Sequence, residues 1–162
     1  MEIYLMQHGQ AFSKEADPER SLSPEGEIQV AASAEALARI GVGFDLVVAS
    51  PKKRALQTAE IVAERLGYPL EEIKITETLQ PTAPAAEALA FLKAYEDKGL
   101  ILLAGHLPSL GEIASDLLSE GSKIAIRFEM GGVCRIDIDM AQGGSGELKY
   151  YLTPDQLRLI AK

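Results

Sequence analysis

Leu46-Val47-Val48-Ala49-Ser50-Pro51-Lys52-Lys53-Arg54-Ala55-Leu56-Gln57-Thr58-Ala59 passes directly from an unbroken apolar run into a helical pattern. Apolar residues without alternation read as a strand covered on both faces. Ser50-Pro51 reads as the start of a helix. Ala55, Ala59, Val62 and Leu66 then recur on one helical face as far as Gly67. The same strand-then-helix unit lies upstream, where residues 3–6 are strand-like. Ser23 there is the expected N-cap and Pro24 the first helical residue. Ile28, Ala31, Ala32, Leu37 and Ile40 keep near-helical spacing, and Gly41 closes that helix.

Downstream, residues 84–95 read as a helix and residues 100–104 as another apolar strand. A helix follows over 108–118, with Leu110, Ile113, Ala114 and Leu117 facing inward. After Gly121 the pattern favours strands at 123–128, 133–139 and 147–152. Gly143-Gly144-Ser145-Gly146 reads as a hairpin turn between the last two, and Thr153-Pro154 starts a short terminal helix. Such alternation predicts a three-layer α/β/α sandwich, its sheet mostly parallel with an antiparallel edge.

At 162 residues, 47% apolar and 25% charged, the chain suits one globular domain spanning 1–162. A chain of this size buries roughly 70% of its unfolded surface, so one ordinary core suffices. The net charge of −8 argues against nucleic acid and anionic membranes as partners, while a locally cationic pocket for phosphate stays open. A single cysteine, Cys134, needs no oxidising compartment. With no apolar stretch of membrane length and no basic leader, a cytoplasmic protein is expected.

Ligands in open, mostly parallel sheets bind at the carboxyl ends of the strands. Three loops fall there: Met6-Gln7-His8-Gly9-Gln10-Ala11, the segment from Ser50 to Thr58, and Gly105-His106-Leu107-Pro108-Ser109. Both histidines of the chain occupy equivalent strand-to-helix positions. Taken singly, each residue has a bland reading. A lone histidine at a strand end is usually structural, Arg54 is a solvated helix charge, and Gly9 and Gly105 are tight turns. Convergence of all three loops on one rim weakens those readings together. Two histidines and a distant cysteine supply too few ligands for zinc. Neither a G-x-S-x-G elbow nor a phosphate-binding G-x-x-x-x-G-K-[ST] loop occurs.

In combination the loops resemble the histidine phosphatase superfamily, and most of all its small SixA-type phosphohistidine phosphatases. The first family motif, R-H-G, reads Gln7-His8-Gly9. The second, S-P-x-x-R-A-x-Q-T-A, is met in full by residues 50–59, and G/S-H-x-P is met by Gly105-His106-Leu107-Pro108. Arg20-Ser21-Leu22-Ser23-Pro24-Glu25-Gly26 is similar to the family's R-x-L-[ST]-x-x-G segment. Leu152-Thr153-Pro154-Asp155-Gln156-Leu157 is similar to the ending of the small phosphatases.

The resemblance implies His8 as nucleophile, forming a phosphohistidine intermediate without cofactor or metal. It implies Arg54 and His106 around the phosphoryl oxygens, with Gln7, Gly9 and Arg20 as further substrate contacts. The implied partner is a phosphohistidine-containing protein such as a phosphotransfer domain. Gln7 departs from the motif arginine, keeping an amide donor and losing the charge. A weakened or inactive relative that binds phosphorylated partners is therefore the alternative. Glu77 is the nearest carboxylate to consider as general acid. A small-molecule phosphomonoesterase or mutase is the third reading, disfavoured because the chain has no room for a substrate-covering insertion.

Overall fold

The apolar runs pair with one another, and helices cover both sides of what they form. The computed structural model describes residues 1–139 and 145–162. Among these, six strands make one sheet: β1 (Glu2–Gln7), β2 (Leu46–Ala49), β3 (Lys74–Ile75), β4 (Leu100–Gly105), β5 (Val133–Ile138) and β6 (Gly146–Leu152). They lie in the order β3-β2-β4-β1-β5-β6. β4 pairs in parallel with both β1 and β2, and β2 pairs in parallel with β3. β5 runs antiparallel to β1 and to β6, which supplies the antiparallel edge.

The helices are α1 (Pro24–Arg39), α2 (Lys53–Leu66), α3 (Ala85–Lys93), α4 (Ser109–Leu118) and α5 (Pro154–Ile160). Ile3, Leu5, Ile101 and Leu103 pack with the buried residues of α3 and α4. Their neighbours Tyr4, Met6, Leu102 and Ala104 point the other way, into a core shared with α1, α2 and α5. Successive residues of a strand face opposite sides, so a strand covered on both sides must be apolar throughout. The expected three-layer α/β/α arrangement is the observed one.

Three local expectations change, and one short strand is unexpected. Residues 123–128 form no strand. β1 and β5 already have partners on both edges, and this segment packs over α4 instead, with the Ile124 amide donating to Ser115 Oγ at 2.9 Å. Its alternation serves packing: Phe128 is buried and meets Tyr151 edge-on. β3, only two residues long and exposed, gives no pattern to read. In α1 the buried residues are Gly26, Val30, Ser33, Ala34, Ala36 and Leu37, while Ile28 is 72% exposed and Ala31 and Ile40 are exposed too. Finally α2 begins at Lys53 and not at Ser50-Pro51, and no side chain caps it. Of the expected hairpin turn, Gly143 and Gly144 lie outside the described residues.

Contact with the loop after β1 explains the rotation of α1. Ser23 caps the helix by accepting from the Gly26 amide at 3.1 Å, and the Ser23 amide donates to the Gln10 carbonyl at 3.0 Å. A Cβ on Gly26 would lie 1.9 Å from the Gln10 carbonyl oxygen. Gly26 must therefore face that loop, and Ile28, about 200° further round, must face away. The Gly26→Ala variant should lose about 1–3 kcal/mol of stability, because backbone has to retreat from the new methyl. Urea melts of the two proteins measure the difference, and an equal midpoint would remove this contact as the reason for the glycine.

Candidate active site

β1 and β4 are neighbours in the sheet, with Gln7 opposite Gly105, so the residues that follow each strand emerge side by side. The His8 amide continues the ladder by donating to the Gly105 carbonyl at 3.1 Å, and the His8 and His106 ring centres are 5.0 Å apart. β2, on the far side of β4, delivers the third loop. There Ser50 Oγ lies 2.9 Å from His106 Nε2 and Arg54 Nε donates to His8 Nε2 at 3.1 Å. Ser50 is thus a partner of His106 and of the Lys52 amide, not the helix cap its sequence position suggests. His8, Arg54 and His106 are all buried.

The bonding assigns the His8 tautomer. Nδ1 lies 2.7 Å from the Gly9 carbonyl oxygen, which can only accept, so Nδ1 carries the proton. Nε2 is the bare nitrogen, and Arg54 donates to its lone pair. Burial pushes the His8 imidazole down to about 4, with the Arg54 and Arg20 charges acting in the same direction against the Gly9 hydrogen bond. Burial pushes His106 down to about 3, helped by His8, Arg54, Lys52 and Arg20. Both rings are therefore neutral at pH 7.

Arg54 itself is a buried guanidinium, and among the described residues no carboxylate forms an ion pair with it. Burial and the Arg20 charge both work against its protonated form. An uncompensated cation in a protein interior is costly unless an anion comes to it. Arg20 stands at the exposed rim with φ of 51°, a left-handed conformation unusual for arginine. The Asp17 carboxylate accepts from the Ser21 amide and hydroxyl and from the Glu19 amide, which holds that turn. Gln7 Oε1, at the end of β1, is buried without a hydrogen-bond partner among the described residues, as are His106 Nδ1 and Ser109 Oγ. Gly9 is required by packing, since a Cβ there would come within 2.5 Å of Val30 Cγ2.

A buried guanidinium beside a bare imidazole nitrogen is suited to an electrophilic oxyanion such as a phosphoryl group. A model of the histidine phosphatase superfamily (branch 1) matches residues 3–81. An uncharacterized protein of Picosynechococcus sp. is 34% identical over 119 residues, covering 70% of this chain and 71% of its own. The phosphohistidine phosphatase SixA of Escherichia coli is 25% identical over 162 residues, 98% of each chain. A solved structure of the protein histidine phosphatase SixA complexed with tungstate superposes with a TM-score of 0.86 at 26% identity, covering 97% of this chain and 99% of that one. The chain belongs to the histidine phosphatase superfamily.

Membership makes it a phosphatase by class and SixA-like in kind, and all three expected site loops meet at one rim of the sheet. Glu77 is the exception. It is exposed, in a short 3-10 turn (Glu77–Leu79) after β3, and makes no hydrogen bond or ion pair with the histidines. Sequence reasoning passed over Thr58 and Ser50 as participants, although both stand inside the second histidine phosphatase motif. Thr58 Oγ1 accepts from the Gly9 amide at 3.1 Å and donates to the Arg54 carbonyl at 2.7 Å. Among the described residues no group of three or more His, Cys, Asp or Glu is placed to hold a metal ion, and no helix is long and apolar enough to cross a membrane.

The depressed imidazoles make stability depend on pH. Unfolded histidines titrate near 6.5, so between about 6.5 and 4 the unfolded chain binds more protons than the folded one. Stability is then fully present above about 6.5 and is lost as pH falls toward 4. Urea melts of the native protein and His8→Asn at pH 7.5 and 4.5 test the sign. Lowering the pH should cost the native protein more stability than the variant, and a larger loss in the variant would reverse it.

Proposed function

We propose that this phosphatase hydrolyses phosphohistidine in proteins through a covalent intermediate on His8. The observation that carries this reading is the pairing of a neutral imidazole, bare at Nε2, with a buried guanidinium that has no carboxylate partner among the described residues. Nε2 attacks phosphorus, and the P–N bond to the substrate imidazole breaks as that ring takes up a proton. Water then attacks phospho-His8 and releases inorganic phosphate, returning the bare nitrogen. Arg54 must leave Nε2 for the phosphoryl oxygens as substrate arrives, which places its planar donors where charge accumulates. His106 is the second donor to those oxygens, with Arg20 and the Gln7 amide at the margin.

The substrate assignment draws on the phosphohistidine phosphatase SixA of Escherichia coli, which is similar along nearly its whole length. It draws also on chemistry, since a P–N bond to imidazole needs little help from a general acid, and no carboxylate bonds to either histidine among the described residues. A groove of about 550 Å³ between α4 and the 121–126 segment opens beside Leu107 and Pro108, next to His106. It leaves room for a macromolecule to approach. Charge handling falls to Arg54 and His106, so no metal is required.

Brief exposure to a labelled phosphohistidine protein should leave acid-labile, base-stable label on His8, in excess chelator as well as without it. Label on His106, turnover in His8→Ala, or dependence on one restored divalent ion would each refute part of the mechanism.

A second reading is favoured by Gln7 alone: a relative that binds phosphorylated partners and turns them over weakly. Removing one donor to transition-state charge typically costs about 10²–10³ in rate. Gln7→Arg should accordingly raise turnover by at least about tenfold, with a smaller change in affinity. Steady-state kinetics of the two proteins decide it. No activity in either, with phosphopeptide binding retained, would favour the binding reading.

A further inference from the structure

His8, Gly9, Thr58 and Arg54 form a closed circuit of hydrogen bonds. His8 Nδ1 donates to the Gly9 carbonyl, and the Gly9 amide donates to Thr58 Oγ1. The Thr58 hydroxyl donates to the Arg54 carbonyl, and Arg54 Nε donates back to His8 Nε2. Thr58 is fully buried and touches neither histidine by a hydrogen bond of its own. A threonine inside a helix commonly bonds back to the carbonyl four residues earlier, with only local consequences. Here that bond has a further effect, because a hydroxyl has one proton. With the proton committed to Arg54, the lone pairs of Oγ1 are left to face the Gly9 amide.

We propose that Thr58 is a positioning residue, fixing the His8 tautomer and the location of Arg54 together. Its hydroxyl holds the Gly9 backbone from the α2 side, while Val30 and Leu22 close against Gly9 from the α1 side. The Gly9 carbonyl is thereby aimed at His8 Nδ1, which keeps the proton there and Nε2 bare. The same hydroxyl ties the first turn of α2, and so the root of Arg54, to the loop that carries the nucleophile. Nucleophile and cation cannot drift apart without breaking it. No other side chain among the described residues is hydrogen-bonded both to the loop after β1 and to the backbone of Arg54. The inference rests on the reading of His8 as nucleophile, and one of its tests does not.

Thr58→Val keeps the shape and loses the hydroxyl, whereas Thr58→Ser keeps the hydroxyl. In Thr58→Val, turnover of a phosphohistidine protein should fall by about tenfold or more while KM moves little, since misplacement of reacting groups by a fraction of an ångström acts on the chemical step. Thr58→Ser should recover most of the rate. Ring nitrogen NMR shifts of His8 should report a protonated Nδ1 and a bare Nε2 in the native protein and in Thr58→Ser, and a mixture of tautomers in Thr58→Val. A merely structural threonine would not move those shifts. Native turnover and an unchanged tautomer in Thr58→Val would overturn the proposal, as would an equal loss in Thr58→Ser. Should Thr58→Val fail to fold by circular dichroism, Thr58→Ala takes its place under the same criteria. If the native protein never forms a phosphoenzyme, the nucleophile reading fails, and the tautomer shift still decides the role of Thr58.

Discussion

The site is organised around a positive charge placed where water cannot fully solvate it. Arg54 is buried beside His8 with no carboxylate among the described residues to neutralise it, and the electrostatics of its neighbours follow. Its field opposes protonation of both imidazoles, adding to the larger effect of burial. On the proposed reading of His8 as nucleophile, the charge that helps keep its imidazole neutral also awaits the anion to be attacked. A carboxylate placed here to relieve the guanidinium would repel the phosphoryl group and raise the imidazole pKa values, undoing both effects.

Holding such a charge demands rigid surroundings, and the fold supplies them through close approach more than through bulk. α1 meets the loop after β1 with backbone against backbone at Gly26 and Gln10, and Val30 and Leu22 crowd Gly9. α2 reaches the neighbouring loops through side chains, with Gln57 accepting from the Leu22 amide at 2.8 Å and Thr58 accepting from the Gly9 amide. Consecutive residues of one helix therefore brace the loop bearing His8 and the segment bearing Arg20. These contacts lie on the α1/α2 side of the sheet, the side toward which His8 and Arg54 turn.

The layered architecture and the three strand-end loops were legible because each rests on a pattern with a physical cause. Unbroken apolar runs signal strands covered on both faces, and a Ser-Pro start signals the N-terminus of α1. The same dipeptide misled at Ser50-Pro51, because α2 starts only at Lys53 and the Ser50 hydroxyl lies one step short of it, accepting from the Lys52 amide while it meets His106. Residues 123–128 alternate as a strand would, yet the Ile124 amide is taken by Ser115 of α4 and the apolar side of the segment is spent on burying Phe128, so the segment packs over a helix and joins no ladder. Ile28 is as apolar as any core residue, and only the approach at Gly26 decides that it faces outward, while Ile40 is exposed as the residue that caps the end of α1. Thr58 was within a recognised motif, but its part depends on which amide lies opposite it. That amide belongs to a residue 49 positions away, which spacing along the chain cannot reveal.

The strand order also governs when this pocket can come into existence. β4 lies between β2 and β1, so the two strands that appear first during synthesis have no edge to share until residue 105 has been made. His8 and Arg54 exist early in the nascent chain, yet the partition that aligns their loops is supplied last among the three central strands. A ribosome-bound fragment ending before β4 would expose two apolar strands with unsatisfied edges, an arrangement prone to association. Closing the sheet is thus a long-range event, slow relative to helix formation. It pairs the facing edges of β1 and β2 with β4 and brings His106 to its place beside His8.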